Sequence, residues 1–529
     1  MICEKIVDTH CHLNDETLFG NLSDVLKRAF EKGVERIIVP GVNVETSRRA
    51  IEIAEMDYRI WAAVGIHPNE VNEAEEGWEE TIRKLACHPK VVAIGETGMD
   101  LYRNRDQKER QIKFFEKHID IAEELGLPLI IHIRNAHRET KEVLEGKGYF
   151  RGVFHMFSGD RDFLKWAIEK GFYISFGGPI TFKNFRKEDL IRRTPIDRLL
   201  LETDSPYLSP HPFRGKRNEP GNIVLISEKL SSILEKELAE INRRLNGNVK
   251  RFFRIEAPCI RRGGKKLGQN FLINDGIGRK IVEEAGRGKI AIEIGPGKGA
   301  LTKFLLQRFE RVILVEVDDE LCRELSEKFK ELDGKKGVDY IIVNRDFLHF
   351  SIDRTSEYFG RKIVVIGNIP YYLTSSVLFK LYRESSYISK SILTIQREVA
   401  DRITSKPFSK NYGILSVLLQ RKYSVRKKFN VSPGSFCPSP SVCSAVITLT
   451  PLSKPLCPEI DDDLFTELVK SSFAHRRKKL LSNLESTFPG IEWRDVFKKL
   501  YLSENTRPEE VTVELYCEMA GELQKLYYH

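Results

Sequence analysis

Short apolar runs alternate with amphipathic stretches along residues 1–255. The stretch from Gln111 to Leu125, for example, carries apolar residues near helical spacing. Eight buried strands, each followed by a helix, in about 250 residues are typical of a (β/α)8 TIM barrel. A doubly wound open sheet is the competing architecture, and it is disfavoured because no glycine-rich phosphate loop follows the first strand. The eight runs are KIVDTH, RIIVPGV, IWAAVGIHP, VVAIGETG, LPLIIHIR, GVFHMFSG, FYISFGG and DRLLLETD.

Six polar side chains lie in or at the ends of these runs, where a barrel would bring them to one mouth. Four imidazoles and two carboxylates converging there predict a site for divalent cations. Six ligands exceed the need of one tetrahedral ion, so we predict two ions about 3.5–4 Å apart that share one bridging carboxylate. The alternative is a set of separate, hydrogen-bonded histidines. The six residues are His10, His12, Glu96, His132, His155 and Asp204.

Glu96 lies midway in the strand order, which makes it the natural bridge between the two ions. Cys11 should point away from His10 and His12, because alternate residues of an extended strand face opposite sides, so we interpret it as core packing. His67 also ends a run, but its position in a His-Pro pair is equally explained by a turn.

The segments DTHCHL, GIHP, GETGMD, IIHIR, FHMFSG, YISFGGPITFKN and LLLETDSPYLSPHPFRGKRNEP resemble the TatD family of metal-dependent deoxyribonucleases. The resemblance covers about residues 4–254 and implies a binuclear metallohydrolase barrel. It assigns one ion to His10, His12, Glu96 and Asp204, and the other to Glu96, His132 and His155. It does not distinguish Mg, Mn or Zn.

The chemistry of such a site suits phosphodiester hydrolysis, with Asp204 as the group that orients the attacking water and accepts its proton. Residues 1–255 hold 41 basic and 41 acidic side chains, and this balance argues against a wide basic groove. The loop with Arg214, Lys216 and Arg217 is either a phosphate contact or an ordinary solvated loop. We therefore expect a small footprint on DNA or other nucleic-acid ends, with an amidohydrolase acting on small molecules as the alternative.

The second half of the chain begins after a predicted linker at residues 256–264, where proline and glycine occur without apolar periodicity. IAIEIGPGKGALT is a buried strand that enters a turn with Gly295 and Gly297 and continues into a helix. The next strand ends in Glu316, and an acidic residue at that position binds ribose hydroxyls in nucleoside-binding doubly wound folds. Two further strands end in Asp346 and Asn368.

The tetrad Asn368-Ile369-Pro370-Tyr371 favours S-adenosyl-L-methionine over a dinucleotide as the ligand. An Asn-x-Pro-aromatic loop suits methylation of a base amine, with carbonyl acceptors from Asn368 and the nearby backbone holding the two amine hydrogens and Tyr371 stacking on an extruded base. Pro370 completes the predicted catalytic loop. The alternative is a plain proline-aromatic turn that closes a strand.

This half resembles the KsgA/RsmA family of ribosomal RNA adenine dimethyltransferases, which is related to the Erm resistance methylases. The resemblance rests on LGQNFL, GPGKGALT, GNIPYYLTS, TIQREVADRI, SKNYGILSVLLQ, VSPGSFCPSPSVCSAVI and FAHRRKKLLSNL. It implies a Rossmann-like methyltransferase domain, with Asp346 near the adenine of the cofactor. Tyr372 stands where Asn is more usual in the family. The residues implied in cofactor contact are Asn270, Leu272, Gly295, Gly297, Glu316, Asp346 and Asn368.

The excess of basic residues lies in this half, where residues 256–529 hold 44 basic and 35 acidic side chains. We expect two basic clusters to contact RNA. One consists of Arg421, Lys422 and Arg426 to Lys428, and the other, Arg476 to Lys479, is predicted on a helix with Leu480, Leu481 and Leu484 on its inner face. Residues after about 452 are predicted to be helical.

The sequence thus predicts four parts, with the last as a small subdomain for RNA binding. They are a hydrolase barrel (1–255), the linker (256–264), a Rossmann-like methyltransferase domain (265–451) and a helical C-terminal subdomain (452–529). The expected partner is small-subunit ribosomal RNA or a pre-ribosomal subunit, in which the C-terminal half would dimethylate two adjacent adenines near the 3′ end. The alternatives are Erm-like methylation of large-subunit RNA and a ribosome-assembly factor whose binding matters more than turnover.

Nine cysteines are scattered without a CxxC pair, which predicts reduced thiols in a cytoplasmic protein. No apolar run approaches the roughly 20 residues that cross a bilayer, so we expect no membrane association. We expect the chain to be a monomer.

Overall fold

In a computed structural model, the protein is described at residues 5–256, 270–330, 339–475 and 477–527. The chain forms two compact units. The predicted linker lies outside the described residues except for Glu256. The two halves of the chain are described in turn.

Eight strands in the N-terminal half form one sheet in which the spatial order follows the chain order, and each neighbouring pair is parallel. The strands are β1 (Ile6–Asp8), β2 (Val34–Pro40), β3 (Ile60–Val64), β4 (Val91–Asp100), β5 (Leu129–Arg134), β6 (Gly152–Phe154), β7 (Tyr173–Phe176) and β8 (Leu199–Leu201). The helices are α1 (Glu16–Phe19), α2 (Leu22–Glu31), α3 (Val44–Met56), α4 (Trp78–Ala86), α5 (Lys108–Glu124), α6 (His137–Lys147), α7 (Arg161–Glu169), α8 (Glu188–Arg193), α9 (Ile223–Leu234) and α10 (Leu238–Phe253).

The sheet curls until its first and last strands meet. The contact is visible just after β1, where the Thr9 amide donates to the carbonyl of Leu201 in β8 at 3.1 Å. Every residue of β2, β3 and β4 is buried. This burial on both faces explains why IIVP of β2, IWAAV of β3 and VVAIG of β4 are apolar runs without alternation. Helix α5 buries Phe115, Ile119 and Ala122 toward the sheet side, as its spacing predicts. The predicted TIM barrel is confirmed.

A seven-stranded sheet forms the core of the C-terminal half, in the order β12-β11-β10-β13-β14-β17-β15. Its strands, with the short pair β9 and β16, are β9 (Phe271–Leu272), β10 (Gly288–Ile294), β11 (Phe309–Glu316), β12 (Tyr340–Asn344), β13 (Ile363–Asn368), β14 (Ile388–Gln396), β15 (Tyr423–Val431), β16 (Phe436–Cys437) and β17 (Ser444–Pro451). The helices are α11 (Asp275–Ala285), α12 (Thr302–Leu305), α13 (Asp319–Phe329), α14 (Ile352–Phe359), α15 (Thr374–Arg383), α16 (Arg397–Ile403), α17 (Ile414–Lys422), α18 (Asp462–Ser472), α19 (Leu480–Thr487), α20 (Trp493–Lys499) and α21 (Val513–Tyr527).

The sheet is mixed. Strands β11, β10, β13 and β14 are joined by parallel pairings, whereas β17 runs antiparallel to both β14 and β15. The strand order on either side of β10 reverses, which is the doubly wound arrangement that places ligands at the carboxyl ends of the central strands. The predicted Rossmann-like fold is confirmed.

The first basic cluster is not an open surface. Arg421 is only 1% exposed and donates to the carbonyls of Leu456, Cys457 and Ile460 and to Asp462. Lys422 is buried too and also pairs with Asp462. The expectation of RNA contact by these two residues is therefore wrong, because their charges hold a chain turn inside the fold.

The remaining members of that cluster lie on β15, where Lys427 pairs with Asp401 at 2.6 Å and Lys428 with Glu284 at 2.9 Å. The second cluster also differs from expectation. Residues 477–479 lie in the connection between α18 and α19 rather than on a helix, and Arg476 lies outside the described residues. The apolar residues Leu480, Leu481 and Leu484 are buried, as predicted.

Two cysteines form a disulfide, which corrects the expectation that all thiols are reduced. Cys457 precedes α18 and Cys517 lies on α21, sixty residues further along the chain. Their isolated positions in the sequence gave no sign of pairing, because the contact depends on how the C-terminal helix folds back. The bond closes a loop that contains α18, α19 and α20.

Loss of this disulfide should cost stability. Closing a loop of 60 residues restricts the unfolded chain by about 4 kcal/mol on the chain-entropy relation. We expect Cys517→Ser to lower the denaturant midpoint of the C-terminal half in the absence of a reducing agent. With dithiothreitol, wild type and variant should unfold together, and a persistent difference would show that Cys517 acts through packing instead.

Within the described parts of the chain, we find no helix that combines the length and apolar character needed to cross a membrane.

Candidate metal centre and candidate methyl-transfer site

The barrel brings all six predicted metal ligands to the carboxyl ends of its strands. Glu96 lies in β4 and His132 in β5, and the other four lie just after a strand end. His10 and His12 follow β1, His155 follows β6 and Asp204 follows β8. Five of the six are buried, and His132 is partly buried.

One oxygen of Glu96 faces the histidines that follow β1. Its Oε2 lies 3.3 Å from His10 Nε2 and 3.6 Å from His12 Nε2, and these two nitrogens are 3.1 Å apart. Asp204 Oδ1 completes the group at 3.4 Å from His12 and 3.8 Å from His10. These four residues are the first predicted ligand set.

The other oxygen of Glu96 faces a second set of histidines. Its Oε1 lies 2.9 Å from His132 Nδ1 and 2.9 Å from His155 Nε2. His67 Nε2 approaches the same oxygen at 3.4 Å. Because each carboxylate oxygen faces a different group of nitrogens, Glu96 has the geometry of a bridging ligand.

The donor set fits divalent cations. In a tetrahedral site with bonds of 2.0–2.1 Å, neighbouring ligand atoms lie about 3.3–3.4 Å apart. The nitrogen and oxygen atoms around Glu96 have separations of 2.9–3.8 Å, which bracket that value. Three overlapping groups of potential ligands occur within the described residues: His10, His12 and Glu96; His10, His155 and Asp204; and His67, Glu96 and His132.

Protons and a cation would compete for the same groups in this site. Burial would raise the pKa of Glu96, but His155, His67 and His10 hold it well below its usual range. Burial would lower the pKa of His155, but the Glu96 carboxylate raises it to about 10. A cation that takes His155 as a ligand must displace this proton, so the affinity for metal should rise with pH.

Two buried carboxylates stand behind the histidines. Glu202 accepts the amide of Met156 at 2.5 Å and lies 3.7 Å from His155 Nδ1. Asp100 Oδ2 lies 3.5 Å from His132 Nε2. At these separations the carboxylates face the second nitrogen of each ring without a hydrogen bond, in the position from which outer partners orient metal-binding histidines. Like His67, they are site residues to which the sequence pattern assigned no role.

The site opens into a cavity of about 740 Å³. Arg103, Arg134 and Tyr207 line it together with the candidate ligands. Tyr207 is 53% exposed, and its hydroxyl donates to Asp15 at 3.0 Å. Aromatic and cationic side chains around an opening of this size suit a flexible anionic substrate.

The basic loop after β8 has local partners. Arg217 donates to the carbonyl of Thr17 at 2.7 Å and pairs with Glu219 at 3.4 Å, and Arg214 lies over the ring of Phe182. These contacts are typical of an ordinary surface loop, which was the alternative to phosphate binding.

In the C-terminal half, the glycine turn follows β10 as predicted. Gly295 and Gly297 have φ of +57° and +56°, a region that favours glycine. A Cβ atom at Gly295 would meet nothing within 4 Å, so the turn borders open space. Gly297 donates its amide to Glu316 at 3.1 Å, and Glu316 ends β11 with 2% exposure. This glycine-lined space beside a buried carboxylate fits the ribose and methionine parts of S-adenosyl-L-methionine.

The other predicted cofactor residues lie near strand ends. Leu272 belongs to β9, which pairs with β16. Asp346 follows β12, and its side chain accepts the amide of Leu348 at 2.9 Å. Asn270 precedes β9 and presents its backbone carbonyl to the side chain of Asn368.

Asn368 ends β13 and has a fixed orientation. Its Nδ2 donates to the carbonyl of Asn270 at 2.9 Å, so the side-chain oxygen is the end left to accept hydrogens from a base amine. After Pro370, the hydroxyl of Tyr371 lies 2.8 Å from Ser444 Oγ. Tyr372 is 59% exposed.

Comparison with known proteins places each half in a family. A model described as TatD related DNase matches residues 7–254, and a model described as ribosomal RNA adenine dimethylase matches residues 260–525. Among relatives, an uncharacterized metal-dependent hydrolase, YabD of Bacillus subtilis, is 41% identical over 253 residues, which cover 47% of this chain and 99% of that protein.

The ribosomal RNA small subunit methyltransferase A of Acidobacterium capsulatum is 39% identical over 223 residues, which cover 42% of this chain and 77% of that protein. A crystal structure of YjjV, a TatD homologue from Escherichia coli K12, is 32% identical and covers 48% of this chain and 100% of its own, with a TM-score of 0.46. By the two family models and these two relatives, the chain belongs to both families: its N-terminal half to the TatD-related metal-dependent hydrolases and its C-terminal half to the ribosomal RNA adenine dimethylase family.

Proposed function

We propose that the C-terminal half dimethylates adenines of small-subunit ribosomal RNA at N6, and that the N-terminal half hydrolyses phosphodiesters at nucleic-acid ends. The orientation of Asn368 is the observation that carries the first part. The second part rests on Glu96, whose two carboxylate oxygens face different groups of histidines. We further propose that the parts at 1–255, 265–451 and 452–529 act as domains, with residues 256–264 as the linker.

The adenine amine is a poor nucleophile, because its lone pair is delocalised into the ring. An acceptor that holds the amine hydrogens favours a tetrahedral nitrogen, and the oxygen of Asn368 is such an acceptor. Tyr371 provides a face for an extruded base. S-adenosyl-L-methionine, when bound, supplies an activated methyl group on a sulfonium, so the protein need only position the base.

In the barrel, six side chains would hold two divalent ions, with Glu96 as the bridge. The ions, when bound, supply a water with a lowered pKa and positive charge for the phosphate. Asp204 is positioned to orient this water and to accept its proton, because its carboxylate lies beside His10 and His12 at the cavity floor. Tyr207, at the rim, can stack on a terminal base.

The methyltransferase activity is tested with purified full-length chain, labelled S-adenosyl-L-methionine and undermethylated small ribosomal subunits. We expect label on two adjacent adenines near the 3′ end of the RNA. Label on large-subunit RNA only would support an Erm-like activity instead. Tight binding to subunits without turnover would support a role in ribosome assembly.

The hydrolase activity is tested with the metal-loaded chain and a single-stranded DNA labelled at either end. We expect stepwise shortening from one terminus and no cleavage after chelation. The same preparation is assayed on small amide substrates. Amide hydrolysis without DNA shortening would support an amidohydrolase.

A further inference from the structure

The hydroxyl of Tyr371 lies 2.8 Å from the hydroxyl of Ser444, although 73 residues separate them in the chain. Tyr371 belongs to the loop that follows β13, and its side chain is partly exposed. Ser444 is only 1% exposed. The contact therefore joins a residue at the surface of the site to one inside the sheet.

The topology explains why Ser444 is at this edge. Strands β13 and β14 are parallel, so they end at the same edge, and the antiparallel β17 begins there. Ser444 is the first residue of β17 and is paired on one side with Gln396 of β14 and on the other with Val431 of β15. It is thus held from both sides at the edge where Asn368 ends β13.

Tyr371 lies in a loop, whereas Ser444 is fixed by strand pairings on both sides. The Tyr371 side chain makes its hydrogen bond to Ser444 through the hydroxyl at the far end of the ring. A phenylalanine would offer the same face for stacking but could not be fixed at this point. An aromatic ring that stacks on a base contributes most to the reaction rate when its orientation is set before the base arrives.

We propose that Ser444 is a positioning residue for methyl transfer, which fixes the ring of Tyr371 in the orientation that receives the target base. This inference rests on the proposed function of the C-terminal half. Ser444 itself is not proposed to touch the base or the cofactor. Its hydroxyl acts through Tyr371.

The test compares Ser444→Ala, Tyr371→Phe and the double variant in the full-length chain. Activity is measured with undermethylated small subunits and S-adenosyl-L-methionine. We expect each single variant to lower kcat/KM for subunits about three- to tenfold, which is the effect of one neutral hydrogen bond. The KM for S-adenosyl-L-methionine should stay at its wild-type value.

The double variant decides between positioning and a general structural role. If the two hydroxyls act only through each other, Ser444→Ala should cause no further loss in a Tyr371→Phe background. Ser391→Ala is the matched control, because it also removes a buried serine hydroxyl from the same sheet and should retain activity.

Multiplicative losses in the double variant, or wild-type kcat/KM in Ser444→Ala, would overturn the inference. A lowered melting temperature with a raised KM for the cofactor would also overturn it in favour of a structural role. Failure of the proposed function is distinguishable, because in that case the wild-type chain itself would transfer no methyl groups to the subunits.

Discussion

Substitution of Glu96 by alanine should abolish hydrolysis by the barrel and strip metal from both positions. The two oxygens of Glu96 face different histidine groups, at 3.3 Å from His10 and 2.9 Å from His155. Removal of the carboxylate would therefore take a ligand from each of the two proposed ions and would also leave the histidine nitrogens without their central negative charge. Metal content is measured by elemental analysis after dialysis, and activity is measured on end-labelled DNA.

His155→Ala is the comparison, because it should weaken mainly one ion and leave the other in place. Glu202→Gln is the milder control. This change keeps the shape of the side chain that lies 3.7 Å from His155 Nδ1 but removes its charge. A change in a residue that orients a metal ligand typically costs about 10- to 100-fold in metal affinity or activity. Methyl transfer by the C-terminal half should be unchanged in all three variants. Full metal occupancy in Glu96→Ala would contradict the binuclear assignment.

The barrel could be predicted because its strands are buried on both faces. Continuous apolar runs such as that of β4 mark such strands without any help from tertiary contacts, and eight of them in sequence leave few other architectures. The ends of the runs then located all six candidate ligands. The eight strands and the positions of the six candidate ligands depend on residues that are neighbours in the chain, so the sequence alone could predict them.

His67, Asp100 and Glu202 were harder to place. His67 ends a strand like the other histidines, and that was the available signal, but its neighbouring proline offered an equally good local explanation. Asp100 and Glu202 are carboxylates near strand ends whose role depends on the direction in which His132 and His155 turn their second nitrogen. That direction is fixed by side-chain packing, which the strand pattern does not encode.

In the C-terminal half, the errors came from charge. Arg421 and Lys422 look like part of a basic surface in the sequence, but Asp462 and three backbone carbonyls compensate them inside the fold. Their partners lie some 35–41 residues away, so a local count of charges could not find them. The disulfide between Cys457 and Cys517 was missed for the same reason.

Asn368→Ala should have the largest effect on methyl transfer. Its side-chain nitrogen donates to the carbonyl of Asn270 at 2.9 Å, which fixes the side chain and leaves its oxygen to accept from the base amine in the proposed reaction. Removal of one preorganised hydrogen-bonding group from an active site typically costs about 10²- to 10³-fold in rate, and we expect a loss in that range. The rate is measured under single-turnover conditions with saturating S-adenosyl-L-methionine. Loss of the contact to Asn270 should also weaken cofactor binding.

Tyr371→Ala should fail in a different way. It removes a stacking face worth about 1–3 kcal/mol, or roughly ten- to a hundredfold in the use of RNA, and should leave cofactor affinity nearly intact. Cofactor affinity is measured by calorimetry without RNA.

Asn430→Ala is the matched control for Asn368→Ala, because Asn430 is an exposed residue of β15 and its loss should leave both activities at wild-type levels. If Asn368→Ala transferred methyl groups at the wild-type rate, the Asn-x-Pro-Tyr segment would be only a turn that closes β13, and another group would have to hold the adenine amine.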